Sequence, residues 1–337
     1  MTEHETYELQ GEHGHSRRDL LVKGGLITAG AALLGSPAAA FASRGSTAAS
    51  PAKVAVVTHG DTGSFWSVFK RGVDQAAKDL GGAVKVTQVY AANDVAKQVA
   101  GLNAAIAARV NVIATSVPDA SALKDPLTKA AQKGIEIITV NSGLGAFDSL
   151  RTYEVHVGQT EDVAGEGAGK QFTAAGAKNL VVVVHEASNS GLTLRAAGAK
   201  KTFKGSTKTL LIPNATSDLP GTKAKIAAYF KANPKTDAFL GLNPDVTVAA
   251  LDALPKGTKV GTFDLNAQVI PSILAGRILF AIDQQQYLQG YLPVVFAYLF
   301  VTNLNTVGNG APVLTGPGIV NKANAARVAA LAKKGTR

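Results

Sequence analysis

The 337-residue chain carries 34 Lys and Arg against 24 Asp and Glu, a net charge of +10 at pH 7, and 46% of its residues are hydrophobic. It has no cysteine, which excludes disulfides, thiolate metal sites, a cysteine nucleophile and an acylated Cys as a membrane tether. Three basic and five acidic residues fall in the first 42, so residues 43–337 carry a net +12, yet their lysines are scattered (Lys78, Lys97, Lys124, Lys133, Lys178, Lys223) with no basic run interleaved with aromatics, as a nucleic-acid surface would require.

In chain order, Ser16-Arg17-Arg18-Asp19-Leu20-Leu21-Val22-Lys23 comes first, then an apolar stretch from Gly24 to Gly35 and the small-residue site Ala40-Phe41-Ala42. This is the pattern of a twin-arginine export signal. A span of 12 apolar residues closed by Pro37 falls short of the roughly 20 that cross a bilayer, so the segment is expected to be removed near Ala42 rather than to anchor. Residues 1–42 are thus expected to be a signal peptide, residues 43–52 a Ser/Ala/Gly linker, and the working protein extracytoplasmic.

From residue 53 onward, short apolar runs alternate with helical patterns: Val54–Thr58 and Phe65–Leu80, Ala83–Tyr90 and Val95–Ala108, Val112–Thr115 and Ser121–Lys133, Ile135–Val140, then Val155–Val157 and Val163–Ala175. The rhythm continues with Leu180–His185 and Leu192–Phe203, Thr209–Ile212 and Thr222–Ala232, Ala238–Leu242 and Val246–Leu254, Lys259–Phe263 and Val269–Leu274, and Ile278–Ile282. Strands alternating with covering helices predict an α/β fold, and the length predicts two lobes, so the expected architecture is two doubly wound, Rossmann-like lobes with parallel sheets and a groove between them. In the first helix Phe65, Phe69, Val73, Ala76, Ala77 and Leu80 form an apolar stripe while Lys70, Asp74, Lys78 and Asp79 face outward. Val181–Val184 has no polar alternation, as a strand buried on both faces requires. Tyr291–Val301 is apolar but short and carries Pro293, which predicts a buried helix, and Asn324–Lys333 reads as a surface helix.

In open α/β sheets ligands sit beyond the carboxyl ends of the strands. The first strand is followed by His59, Asp61, Ser64, Phe65 and Trp66. Ile135–Val140 leads to Asn141 and Ser142, and Val181–Val184 to His185, Glu186, Asn189 and Arg195. Later strand ends give Asn243, Asp264 and Gln284. Amides, carboxylates and a guanidinium beside aromatic faces suit a polyhydroxylated ligand, which needs paired donors and acceptors and flat apolar surface. Each residue has a plainer reading too: Asp264 as a helix N-cap, Trp66 and Phe65 as core, Asn141 and Asn243 as turn formers, Arg195 as a solvated or structural side chain.

Enzymatic motifs do not emerge. Gly165-Glu166-Gly167-Ala168-Gly169-Lys170 fits neither a dinucleotide fingerprint nor a P-loop, where Gln171 would have to be Ser or Thr, and is expected to be a tightly packed helix. There is no G-x-S-x-G elbow, no zinc-protease helix and no singled-out carboxylate pair. No catalytic residue, metal site or cofactor is expected.

Phe65-Trp66 with Gly72 and Ala76-Ala77, Gly134-Ile135-Glu136-Ile137-Ile138 leading to Asn141, and then Arg195, Asn243, Asp264 and Gln284 together resemble the ribose- and galactose-type periplasmic binding proteins of sugar ABC transporters, over residues 52 to 320. The resemblance implies that the aromatic pair flanks a sugar ring and that Arg195, Asn243, Asp264 and Gln284 bond its hydroxyls, with Ser64, Asn141, Ser142 and Asp218 as further ligand contacts, although Ser217 competes with Asp218 for the last place. Where ribose-type members place an Asp-Arg pair this chain has Asn141-Ser142, which removes a charged clamp and points to a different sugar, a polyol or a furanose-like molecule. The resemblance also implies three crossings between lobes near residues 157, 284 and 313. The first lobe would then comprise 53–157 plus 285–313 and the second 158–284 plus 314–337. Expected partners are a small sugar or polyol and a membrane permease, with the protein a monomer. The competing readings are a secreted glycan-acting hydrolase and a sugar-sensing binding protein that serves a receptor.

Overall fold

A computed structural model describes residues 50–60, 63–150 and 155–337. The expected export signal and most of the linker lie outside the described residues, as does Asp61.

The first sheet comprises β1 (Ala52–Thr58), β2 (Val84–Tyr90), β3 (Val112–Ser116), β4 (Glu136–Val140), β5 (Val155–Gln159) and β11 (Val313–Gly316), in the spatial order β11-β5-β4-β3-β1-β2 with every pairing parallel. The second comprises β6 (Asn179–Val184), β7 (Ser206–Leu211), β8 (Ala238–Gly241), β9 (Lys259–Phe263), β10 (Phe280–Asp283) and β12 (Gly318–Asn321), in the order β12-β10-β9-β8-β6-β7, where only β12 runs antiparallel. The two orders are the same pattern repeated. The α/β class with two doubly wound sheets is therefore what the alternating sequence pattern requires.

Helices α1 (Ser64–Leu80) and α10 (Gln286–Asn303) cover one face of the first sheet, while α2 (Val95–Ala107), α3 (Ala120–Gln132) and the short α4 (Leu144–Leu150) cover the other. In the second lobe α5 (Glu161–Ala174) and α6 (Ser190–Thr202) share a core on one face. The opposite face packs against α7 (Leu219–Ala232), α8 (Pro244–Ala250), α9 (Val269–Leu274) and α11 (Ala325–Lys334). Residues of β6 divide between these two cores: Val181 and Val183 enter one, Val182 and Val184 the other. That is why this strand carries no polar alternation.

In each lobe one pair of helices approaches to backbone contact because glycine removes the side chain between them. A Cβ at Gly72 would strike the carbonyl of Tyr287, and one at Gly290 the carbonyl of Phe69, so α1 and α10 meet along a glycine seam. Gly165 and Gly198 perform the same service for α5 and α6, against the carbonyls of Arg195 and Asp162. The glycine-rich run at 165–170 is thus a helix-packing surface. The apolar run at 291–301 lies within α10 and packs on the core of the first lobe with Pro293, Val294 and Ala297 buried and the rest of the run half-buried, less enclosed than its composition suggests. Among the described residues no helix is long and apolar enough to cross a membrane.

The chain passes between the sheets at Gln159–Glu161, Asp283–Gln286 and Gly316–Gly318. The third passage falls a few residues later than 313, because Leu314 and Gly316 still pair with β5. Three further elements carry no strong sequence signal: β11 and β12 are four residues each, and α4 is seven.

Gly290→Ala would force a methyl group into the Phe69 carbonyl, and overpacking of this kind costs about 1–3 kcal/mol. Urea unfolding should show that loss, whereas Gly82→Ala, at a position with open space around it, should be silent.

Candidate functional site

The carboxyl ends of the two sheets face one another across a cleft, and the residues that follow the strands meet there. His59, Phe65, Trp66, Asn141, Ser142, His185, Glu186, Asn189, Leu192, Arg195, Leu242, Asn243, Asp264 and Gln284 line one cavity. A larger groove of about 1050 Å³ opens among Ile106, Arg109, Lys133, Phe300 and Leu304, at the opposite end of the first lobe, away from the carboxyl ends of the strands where α/β sheets bind ligands.

Two of the lining residues are aimed by the same backbone device. Asn141 directly follows β4 with φ 55°, and Asp264 directly follows β9 with φ 66°. Each amide still bonds to the next strand, Asn141 to the Val157 carbonyl and Asp264 to the Ile282 carbonyl. Left-handed backbone is most accessible to Asn and Asp among side chains with a Cβ, so these residue types suit a chain that reverses at the strand tip while presenting a polar group.

Gln284 joins the lobes. Its Nε2 donates to Asp264 Oδ1 at 2.9 Å, and its Oε1 accepts from Asn141 Nδ2 at 3.3 Å and from Gln289 Nε2 at 3.0 Å. Asp264 caps no helix: the first amides of α9 bond to Asn266 Oδ1 instead. Asn243, in contrast, fulfils the plainer reading as well, since its Oδ1 accepts from the amides of Asp245 and Val246 at the start of α8.

Arg195 is 4% exposed and its fork is shared with Glu161, Nε to Oε2 at 2.5 Å and Nη2 to Oε1 at 2.9 Å. Burial acts against its charge, but the Glu161 carboxylate more than offsets this. The guanidinium also lies 4.6 Å over the Phe263 ring. Glu161 starts α5, and sequence reading missed it because a carboxylate there looks like ordinary first-turn helix chemistry.

At the other end of the cavity, Glu186 Oε2 accepts from Asn189 Nδ2 at 2.6 Å and stands 3.5 Å from His59 Nε2 of the opposite lobe, while Oε1 stands 3.4 Å from His185 Nε2. Burial opposes the Glu186 charge, yet the His185 hydrogen bond and the two imidazoles hold the carboxyl well below the usual range. His59 is seated by Ser116, whose Oγ is 2.7 Å from Nδ1. Trp66 is 5% exposed and packs edge-on against His59, Phe65 and Phe69, so it is both core and cavity wall.

Two residues expected at the site lie elsewhere. Asp218 is exposed and caps α7, accepting from the Gly221 amide at 2.9 Å. The resemblance placed a ligand contact here, but an Asp just before a helix is also an N-cap signature, and that is the role it fills. Ser64 does not line the cavity; its amide donates to Asp245 Oδ2 of the second lobe at 2.8 Å. Asp245, braced by Asn266 Nδ2 at 2.9 Å, thereby places a carboxylate on the N-terminus of α1. Ser190 adds a second clasp through its amide and hydroxyl on the Pro118 carbonyl, and Ser142 Oγ a third, donating to Asn189 Oδ1 at 3.0 Å. With the lobes held together this way, the cavity measures about 30 Å³. That is room for about one water molecule. The lobes must part for a larger molecule to enter.

A family model described as a periplasmic binding protein domain matches residues 54–303. A carbohydrate transporter protein from Acidothermus cellulolyticus, solved in complex with myo-inositol, is 33% identical with a TM-score of 0.81, over 85% of this chain and all of that one. A transporter solute-binding protein from Agrobacterium vitis bound to alpha-D-tagatopyranose is 25% identical, TM-score 0.70, over 83% of this chain and 98% of that one. The xylose/arabinose-binding protein of Sulfolobus acidocaldarius is 23% identical over 74% of this chain, and the match spans 66% of that protein's length.

Burial pushes the Asp264 carboxyl up to about 7, against the pull of Arg195 and the Gln284 hydrogen bond. A carboxyl raised in the folded state contributes stability that is complete below its unfolded value near 4 and is lost as pH rises through about 7, at roughly 1.4 kcal/mol per pH unit. The buried His156, lowered to about 3, contributes an opposite slope over much of this window, so the decline is read as the difference in urea-unfolding stability between the unaltered protein and Asp264→Asn from pH 4 to 7; parallel profiles would refute the assignment. Asp245→Ala should speed ligand dissociation about tenfold or more, the loss of a charge-assisted bond, with the cavity wall intact. An unchanged dissociation rate would remove Asp245 from the closing contacts.

Proposed function

The chain belongs to the family of periplasmic binding protein domains, and from that premise we propose that it is an extracytoplasmic solute-binding protein that captures a monosaccharide or related polyol between its lobes and delivers it to an ABC transporter permease. The observation that carries this reading is the convergence of Phe65, Trp66, Asn141, Ser142, Arg195, Asn243, Asp264 and Gln284, from distant parts of the sequence, on one buried cavity at the carboxyl ends of both sheets. The relatives support it by what they hold: myo-inositol in one and a tagatopyranose in another. Their chemistry matches the wall, where amides, carboxylates and a guanidinium offer directional partners to hydroxyls, and Phe65 and Trp66 offer apolar surface to C–H groups.

A binding role fits the same geometry: Gln284, Asp264, Asn141, Ser142 and Asn189 orient one another by hydrogen bonds across the cavity wall. Closure is driven by differential affinity: ligand contacts from the two walls coexist only when the lobes meet, so ligand shifts the population toward the closed form, which the permease then recognises. The twin-arginine segment delivers the chain across the membrane and is cleaved near Ala42, and the product acts as a monomer.

A thermal-shift screen of pentoses, hexoses and cyclitols should raise the melting temperature with at least one neutral polyhydroxylated compound. Arg195→Ala and Asp264→Ala should each weaken that ligand by about 2 kcal/mol or more, because a buried hydroxyl loses its partner. Trp66, the single tryptophan, should report binding by a fluorescence change. Hydrolysis of any glycoside by the purified protein would overturn the reading.

A further inference from the structure

Beyond the residues that carry the reading above, the cavity has a second polar end whose hydrogen-bonding capacity is incomplete. His185 is 6% exposed and lies in the cavity wall, and its Nδ1 is buried without a hydrogen-bond partner among the described residues. A buried polar atom left unpaired is costly, so a group that satisfies it on binding gains affinity. Beside it, the Glu186 carboxylate is oriented by Asn189 and flanked by two imidazoles.

The charged groups of the cavity wall are unevenly matched. Two carboxyl groups, Glu186 and Asp264, stand among amides, imidazoles and a hydroxyl, whereas the arginine of the wall has two of its nitrogens bonded to Glu161. Glu186, whose carboxyl is held well below the usual range, only accepts, so its end of the wall rewards hydroxyls, which donate, and gives nothing to an ether oxygen, which only accepts. It also disfavours an anionic ligand, whose buried charge would meet like charge. We propose that Glu186 and His185 form a specificity subsite that, together with the Asp264 end, selects an uncharged ring hydroxylated around its whole perimeter, a cyclitol, over aldopyranoses with their ring oxygen and over phosphorylated or carboxylated sugars. The proposal rests on the solute-binding reading above and adds to it the ligand class and two residues that set it.

Isothermal titration calorimetry with the purified protein tests it, using myo-inositol, D-glucose, D-xylose and myo-inositol 1-phosphate as probes. The expected result is myo-inositol bound about tenfold or more tighter than either aldose, with the phosphate ester bound more weakly still. Glu186→Gln and His185→Phe should each cost about tenfold in myo-inositol affinity while changing the weaker aldose binding less than twofold, since a lost partner to a buried hydroxyl is worth at least that factor. Melting curves establish that the variants fold, and where one does not, the ranking of probes on the unaltered protein still decides. An aldose bound as tightly as myo-inositol, or variants that keep full affinity for it, overturns this inference and leaves the solute-binding reading standing. Failure of every neutral sugar and polyol to bind overturns both.

Discussion

The carboxamide of Gln284 is the interaction on which the arrangement depends. It stands where the chain crosses from β10 to α10, donates to Asp264 of one lobe and accepts from Asn141 of the other. Around it the three crossing segments are laced by neutral groups: Gln289 reaches Thr315 Oγ1 at 3.1 Å, and that hydroxyl donates to the Gly158 carbonyl at 3.1 Å. A hinge has to bend without leaving buried charge exposed to an empty low-dielectric gap. Amides and hydroxyls meet this requirement because their bonds exchange at modest cost, whereas a buried ion pair pulled apart is heavily penalised. Among the described residues the ion pairs near the hinge, Arg195 with Glu161 and Arg337 with the buried Asp283, each lie within the second lobe, so neither pair has to be pulled apart.

Rigidity on either side of that hinge comes from glycine. The seams at Gly72 and Gly290 in one lobe, and at Gly165 and Gly198 in the other, let helix backbones touch within each lobe. Backbone contact of this kind has no rotamers to rearrange, and packed interiors respond to load by rotating about a hinge rather than by deforming. Asn141 and Asp264 each follow a strand of their own lobe, so the left-handed turn that aims each of them is built within one lobe.

Much of this was legible in the sequence. The alternation of apolar runs and amphipathic stretches gave the two sheets because strands and helices here have different hydrophobic periods, and the strand-tip rule then selected His59, Asn141, Glu186, Arg195, Asn243 and Asp264 without any coordinates. What sequence could not yield is partnership across long separations. Glu161 and Arg195 are 34 positions apart, Ser64 and Asp245 are 181. Neither pair has a local signature, since an acidic residue early in a helix is ordinary in either case. Asp218 misled for the complementary reason: its local pattern, Asp before Leu-Pro-Gly, is complete in itself as a cap and needed no ligand. Short β11 and β12 escaped because four residues hold too little periodicity to register.

The polarity of the two cavity ends follows from the repeated strand order. Because β4 and β9 occupy matching places in their sheets, each contributes one tip residue to the same cleft, and the two lobes supply unlike groups there: a neutral amide at Asn141, a carboxyl at Asp264. Identical tips would set two amides or two carboxyls face to face, and two carboxyls at short range cannot both ionise. With Asn141 opposite, Gln284 can bridge the two through its own donor and acceptor ends, which orients the Asp264 carboxyl toward the cavity. The same logic holds at the far end, where His59 of the first lobe meets Glu186 of the second. In both places the first lobe brings a group that can donate and the second brings the acceptor. The pairs therefore attract as the lobes close, and a hydroxyl, which both donates and accepts, can insert between them without leaving either unpaired.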